Sequence, residues 1–173
     1  MFWRPRGIAR LATGASVSKA ARVVYNALRL TSDDITGARG MKKFTLEQAN
    51  RTLPLVRKIV EDIVRQYAQW RERMQAFEIV TANARADMPD PRSDTLQREV
   101  QTLAAEIDGY LRELRELGIE FKGFENGLVD FPGELDGRVI YLCWQLGEPE
   151  IEHWHEIDAG FAGRQPLGPR ALA

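Results

Sequence analysis

Leu111-Arg112-Glu113-Leu114-Arg115-Glu116-Leu117-Gly118-Ile119-Glu120-Phe121 holds the change of period that decides the fold. Before Gly118, apolar residues recur three and four apart, at Leu96, Val100, Leu103, Ile107, Tyr110, Leu114 and Leu117, the spacing of one helix face. After it they fall in short runs bounded by turn residues, as strands do. Gly118 is the expected left-handed residue just past a helix end, and Ser93 or Asp94 the expected cap at its start. The chain thus divides into a helical part and a β part, an α+β fold.

Upstream, the same three-and-four spacing runs through Leu46, Ala49, Leu53, Val56, Val60, Ile63, Tyr67, Trp70, Met74 and Phe77. Thr45 and Gln48 form a capping-box pair, able to satisfy each other's otherwise unpaired backbone amides. Pro54 lacks an amide hydrogen and disfavours helical geometry at Leu53, which predicts a short turn or kink there and a long helix from about Pro54 to Val80. Asp87-Met88-Pro89-Asp90-Pro91 reads as a turn between the two helices. Two seams of similar length joined this way predict an antiparallel two-helix coiled-coil hairpin. Two helices alone cannot exclude water from Tyr67, Trp70 and Phe77, so a covering surface is required. Either the C-terminal region of the same chain supplies it, or a second copy does so in a homodimeric four-helix bundle; a helical protein partner fits the same groove.

Downstream, Ile119–Phe121, Leu128–Phe131, Val139–Trp144 and Ile151–Ile157 read as strands separated by Asn126-Gly127, Pro132-Gly133, Asp136-Gly137 and Gly147-Glu148-Pro149, a small antiparallel β-meander. The single Cys and both His lie between Cys143 and His155, beside Trp144 and Trp154. His153 and His155, two apart on a strand, emerge on one face, where both can reach one metal ion. Pairing Cys143 with His153 adds the thiol to that face; a slip of one residue removes it. Imidazole and thiolate suit zinc or another transition metal, with Asp130 or Glu148 as oxygen donor; at an open position the metal would lower the pKa of a bound water, and a nearby carboxylate could act as base, as in a metal-dependent enzyme. The alternative is a small buried thiol with His side chains satisfied locally. Thiol catalysis at Cys143 is disfavoured by its apolar strand. Gly160-Phe161-Ala162-Gly163-Arg164-Gln165-Pro166 offers an anion site at Arg164, or else a structural turn with Arg164 paired to Asp130 or Glu148.

The near-neutral total of 24 basic and 25 acidic residues conceals segregation. Residues 1–40 carry seven basic and two acidic groups, net +5, and the remaining 133 carry 17 basic and 23 acidic, net −6. The basic segment, weakly amphipathic at Val17, Ala21, Val24 and Leu28, reads as an extension upstream of a start at Met41, as a disordered or docking segment, or as a targeting peptide. Residues 41–167 are then one α+β domain and 168–173 a disordered tail. One Cys excludes an intrachain disulfide framework, and no apolar run spans a bilayer. Without runs of adjacent basic residues or a stacking motif, nucleic acid is a poor partner.

The opening Phe44-Thr45-Leu46-Glu47-Gln48-Ala49-Asn50-Arg51-Thr52-Leu53-Pro54, with Gly127-Leu128-Val129-Asp130-Phe131-Pro132, Leu142-Cys143-Trp144, Gly147-Glu148, Trp154-His155, Gly160-Phe161 and Gly163-Arg164, resembles the uncharacterised prokaryotic domain of unknown function (DUF) family 2203 from Met41 to Leu167. The resemblance implies a small bacterial cytoplasmic protein beginning near Met41, and it assigns no catalytic role to any residue. Two functional expectations stand. The first is a non-catalytic interaction or scaffold module that self-associates through its hairpin. The second is a protein, enzyme or not, that binds a metal through Cys143, His153 and His155 or a small anion through Asp130, Glu148 and Arg164.

Overall fold

The computed structural model describes residues 42–83 and 90–168. The basic N-terminal segment, most of the Asp87–Pro91 turn and residues 169–173 of the expected tail lie outside the described residues. Helix α1 spans Leu46–Asn83 and helix α2 Arg92–Leu117. They are followed by β1 (Glu120–Gly123), β2 (Leu128–Leu135), β3 (Arg138–Gln145), β4 (His153–Glu156) and β5 (Gln165–Pro166). The five strands form one antiparallel sheet in sequence order.

The capping box closes as the sequence predicts. Thr45 N–H donates to Gln48 Oε1 at 3.1 Å, and Gln48 N–H donates to Thr45 Oγ1 at 3.2 Å. The separate short turn expected before Pro54 is absent, for α1 runs from Leu46 through the proline. A proline in a helix interior costs about 3 kcal/mol. Ala49, Leu53, Val56, Ile59 and Val60 are all buried on both sides of it, and their packing offsets that cost. The start of α2 also differs from expectation. Asp90, rather than Ser93 or Asp94, accepts the Arg92 N–H at 2.9 Å, and Pro91 stands at the cap, where a missing N–H removes no helical bond. At the other end Gly118 is left-handed (φ 82°), and Ile119 N–H reaches the Leu114 carbonyl at 2.9 Å, as in a Schellman closure.

In α2 the fully buried stripe is Val100, Ala104, Ile107, Leu111 and Leu114. Leu103, Tyr110 and Leu117 from the expected seam pack at its margin. A helix facing a sheet as well as a second helix buries a broader face than a two-stranded coiled coil does. The covering surface comes from within the chain. Val129, Phe131, Ile140, Leu142 and Trp144 join the helical seams in one hydrophobic core, with Phe121 and Phe124 stacked toward Tyr67.

Strand β2 passes straight through Pro132-Gly133, where the sequence predicts a turn. The Pro132 carbonyl accepts the Phe44 N–H at 2.7 Å on the side away from β3. The missing proline N–H faces that same outer side, so the ladder to β3 is complete from Leu128↔Gln145 to Leu135↔Arg138. The hairpin turn is Asp136-Gly137, both at positive φ (51° and 75°) as a primed two-residue turn requires. Strand β4 is shorter than the predicted Ile151–Ile157, and the two-residue β5 has no forecast in the sequence.

Candidate metal centre

Antiparallel pairing places opposite residues on the same face of a sheet. The register aligns Phe121 with Val129, Val129 with Trp144 and Phe131 with Leu142, and these form the apolar face against the helices. The other face carries Glu120 opposite Asp130, Asp130 opposite Cys143, Cys143 opposite His153 and Tyr141 opposite His155. The polar and nucleophilic side chains of the β region thus share the side that the hairpin leaves uncovered. The pairing of Cys143 with His153 is the register that unites thiol and imidazoles.

Three ligand atoms converge there. A carboxylate oxygen of Asp130, the sulfur of Cys143 and an imidazole nitrogen of His155 lie within 4.8 Å of one another. All three residues are buried, with 2%, 0% and 1% exposure. Asp130 and His155 sit on strands separated by β3, and their side chains meet across it beside the small Cys143.

The tautomer follows from one hydrogen bond. His155 Nδ1 is 2.8 Å from the Glu156 carbonyl oxygen, which only accepts, so Nδ1 carries the proton. In the neutral ring Nε2 is then a bare lone pair. It faces Asp130 Oδ1 at 3.2 Å, and neither atom has a hydrogen-bond partner among the described residues. Two buried acceptors held this close demand a cation between them, either a proton or a metal ion. Burial, the largest influence on His155, disfavours the imidazolium, but the Asp130 carboxylate and the Glu156 carbonyl outweigh it and raise the pKa. Burial, then the charge of Asp130, push the Cys143 thiol far up, with Arg164 opposing. The metal-free thiol is therefore a poor nucleophile.

Flanking carboxylates already have their own cations. Glu148 accepts the Arg164 guanidinium at 2.7 and 2.8 Å and the Gln145 N–H at 2.8 Å. Arg164 also reaches the Cys143 carbonyl at 3.3 Å and rests against the Phe161 ring. The turn bearing Glu148 is fastened to α1 by Arg57, which donates to the Glu148 and Pro149 carbonyls, and by Asn50, which accepts the Ile151 N–H. On the other flank Glu120 accepts from Tyr141 Oη at 2.6 Å and from Lys122 Nζ at 2.5 Å.

Of the six residues singled out in the sequence, Asp130, Cys143 and His155 form the buried cluster. His153 stands beside it, with Nδ1 4.0 Å from Glu148 Oε1. Glu148 and Arg164 pair with each other, the structural alternative for Arg164. Sequence reasoning missed Glu120, Lys122 and Tyr141. Their signal was parity: Tyr141 is two residues from Cys143 on one strand, and Glu120 aligns with Asp130 once the first hairpin is registered.

The molecule is an α+β protein in which a helical hairpin backs an antiparallel sheet whose other face holds a buried Asp-Cys-His cluster. A family model described as an uncharacterized conserved protein (DUF2203) matches residues 42–167, and the chain belongs to that family. No curated protein and no solved structure matches it. No described helix is long and apolar enough to cross a membrane.

Proposed function

We propose that this protein binds one transition-metal ion, zinc foremost, between Asp130, Cys143 and His155. The ion ties β2, β3 and β4 together on the side of the sheet opposite the helices. The convergence of three buried ligand atoms, an Asp130 carboxylate oxygen, the Cys143 sulfur and a His155 ring nitrogen, within 4.8 Å of one another carries this reading, and His155 Nε2 lies 3.2 Å from Asp130 Oδ1. Two donors about 2.0–2.1 Å from one zinc ion define a tetrahedral edge of about 3.3 Å, close to that separation. The Glu156 carbonyl holding Nδ1–H is the outer partner that fixes a ligating imidazole. A mixed oxygen, nitrogen and sulfur set favours zinc or a neighbouring transition metal over magnesium or calcium.

Burial supports a structural role over catalysis. Two surface grooves, one along the hairpin and one beside the turn at Pro149, include no cluster residue. Anion binding at Arg164 has less support, because Glu148 already neutralises its charge and holds its Nη2. Self-association through the hairpin also has less, since the sheet fills the seam and the large apolar side chains exposed on α1, Leu55 and Ile79, stand far apart on it. A reducing compartment such as the cytoplasm suits a thiolate ligand. Elemental analysis of untagged protein tests the proposal. About one zinc per chain is expected, falling to background in both Asp130→Asn and His155→Ala. Metal-free protein that keeps its fold and takes up none would leave a proton as the cation between Asp130 and His155.

A further inference from the structure

Resting on the metal reading above, we infer that His153 is the fourth ligand and closes the centre as Asp130, Cys143, His153 and His155. The register is the first argument. Asp130, Cys143 and His153 stand side by side across β2, β3 and β4 on the polar face. Directly opposed side chains on neighbouring strands have Cβ atoms about 4.5–5.5 Å apart. Rotation of the His153 side chain alone therefore carries its imidazole to an ion held by the Cys143 sulfur, with no backbone movement.

The unsatisfied ring nitrogen is the second. His153 Nδ1 is buried and has no hydrogen-bond partner among the described residues, while Glu148 Oε1 lies 4.0 Å from it, too far for a hydrogen bond. No partner therefore holds the ring in its present rotamer, and turning it toward the ion gives a buried polar atom a partner. Glu148 does not compete for the ion, because Arg164 and the Gln145 N–H already hold it.

Charge is the third. A divalent ion with the Asp130 carboxylate and the Cys143 thiolate sums to zero, so a neutral imidazole completes the site without leaving net charge in a buried place. A second carboxylate would not. Four protein ligands leave no position for substrate, which makes this a closed structural centre.

X-ray absorption and cobalt substitution of the full-length protein test the assignment. In the wild type the zinc edge should report two imidazoles, one sulfur and one oxygen. The cobalt form should show a thiolate charge-transfer band with the intense visible bands of a tetrahedral ion. In His153→Ala the thiolate band should persist, the visible bands should weaken, and zinc affinity should fall about 100-fold or more, beyond the ~10–100-fold that follows loss of an orienting partner alone. One imidazole in the wild type, or unchanged affinity in the variant, overturns the inference while the three-residue site stands. No thiolate band and no zinc uptake in the wild type removes the metal reading and this inference with it. The wild-type imidazole count keeps the test decisive should the variant fold poorly.

Discussion

The two faces of the sheet are buried to a similar degree by different means. On the face toward the helices, Val129, Phe131 and Trp144 are within 0% exposure, and contact among apolar side chains suffices. On the other face Tyr141, Cys143 and His155 are at 1% or less, yet they lie beside a carboxylate. Apolar packing is non-directional and tolerates small shifts, whereas buried polar groups must be satisfied one by one. The polar face meets that demand at its edges, through Lys122 with Glu120 and Arg164 with Glu148. It leaves Asp130 at the centre without a Lys or Arg partner among the described residues. The contrast makes the centre of that face, and not the better packed apolar side, the place where an added cation changes the energetics.

Substitutions on the two faces should therefore respond differently to metal. Trp144→Ala removes the largest fully buried side chain of the apolar face, its Nε1–H bond to the Glu148 carbonyl, and the ring under the Arg57 guanidinium. It should lower unfolding stability by about 3–5 kcal/mol in urea denaturation, equally with and without chelator. A loss that appears only in the metal-loaded protein would show that the two faces are not energetically separate.

The smallest expected effect concerns a carboxylate that has its own cation. The side-chain and backbone hydrogen bonds of Arg92 hold the Asp90 pKa down to about 2. Because the folded value lies below the unfolded one, any stabilisation of the start of α2 is present above about 3.9 and is lost as pH falls through about 2. Carboxyl NMR titration should give that low midpoint, rising in Arg92→Ala. The pair is solvent-exposed, so high salt should weaken it, while zinc binding at buried Asp130 should depend far less on screening. Equal salt sensitivity at the two carboxylates would erase the distinction between paired surface charge and the buried centre.

Much of this was legible in the sequence wherever the signal was local. Thr45 with Gln48, Gly118 and the apolar spacing on both sides of it each depend on neighbours within one or two helical turns. The parity of His153 and His155 was legible for the same reason. The continuation of β2 through Pro132 was not, because it depends on Phe44, nearly ninety residues away, accepting the role of outer neighbour. That Asp130 rather than Glu148 joins Cys143 and His155 was likewise hidden. It turns on which carboxylate Arg164 reaches and on side chains that meet across β3. Strand β5 is two residues held by pairing to His153 and Trp154, too short to carry a period. Tyr141 lies on the polar face because the register sets it opposite His155, a pairing that no local pattern encodes.

Calorimetric titration of zinc into metal-free, full-length protein tests the central claim most directly. One saturable site per chain is expected, absent in His155→Ala and accompanied by a rise in melting temperature, since an ion present at 100 times its Kd stabilises the folded state by about 2.7 kcal/mol. A wild-type protein that remains folded, shows no saturable heat and melts at the same temperature with and without zinc would contradict it.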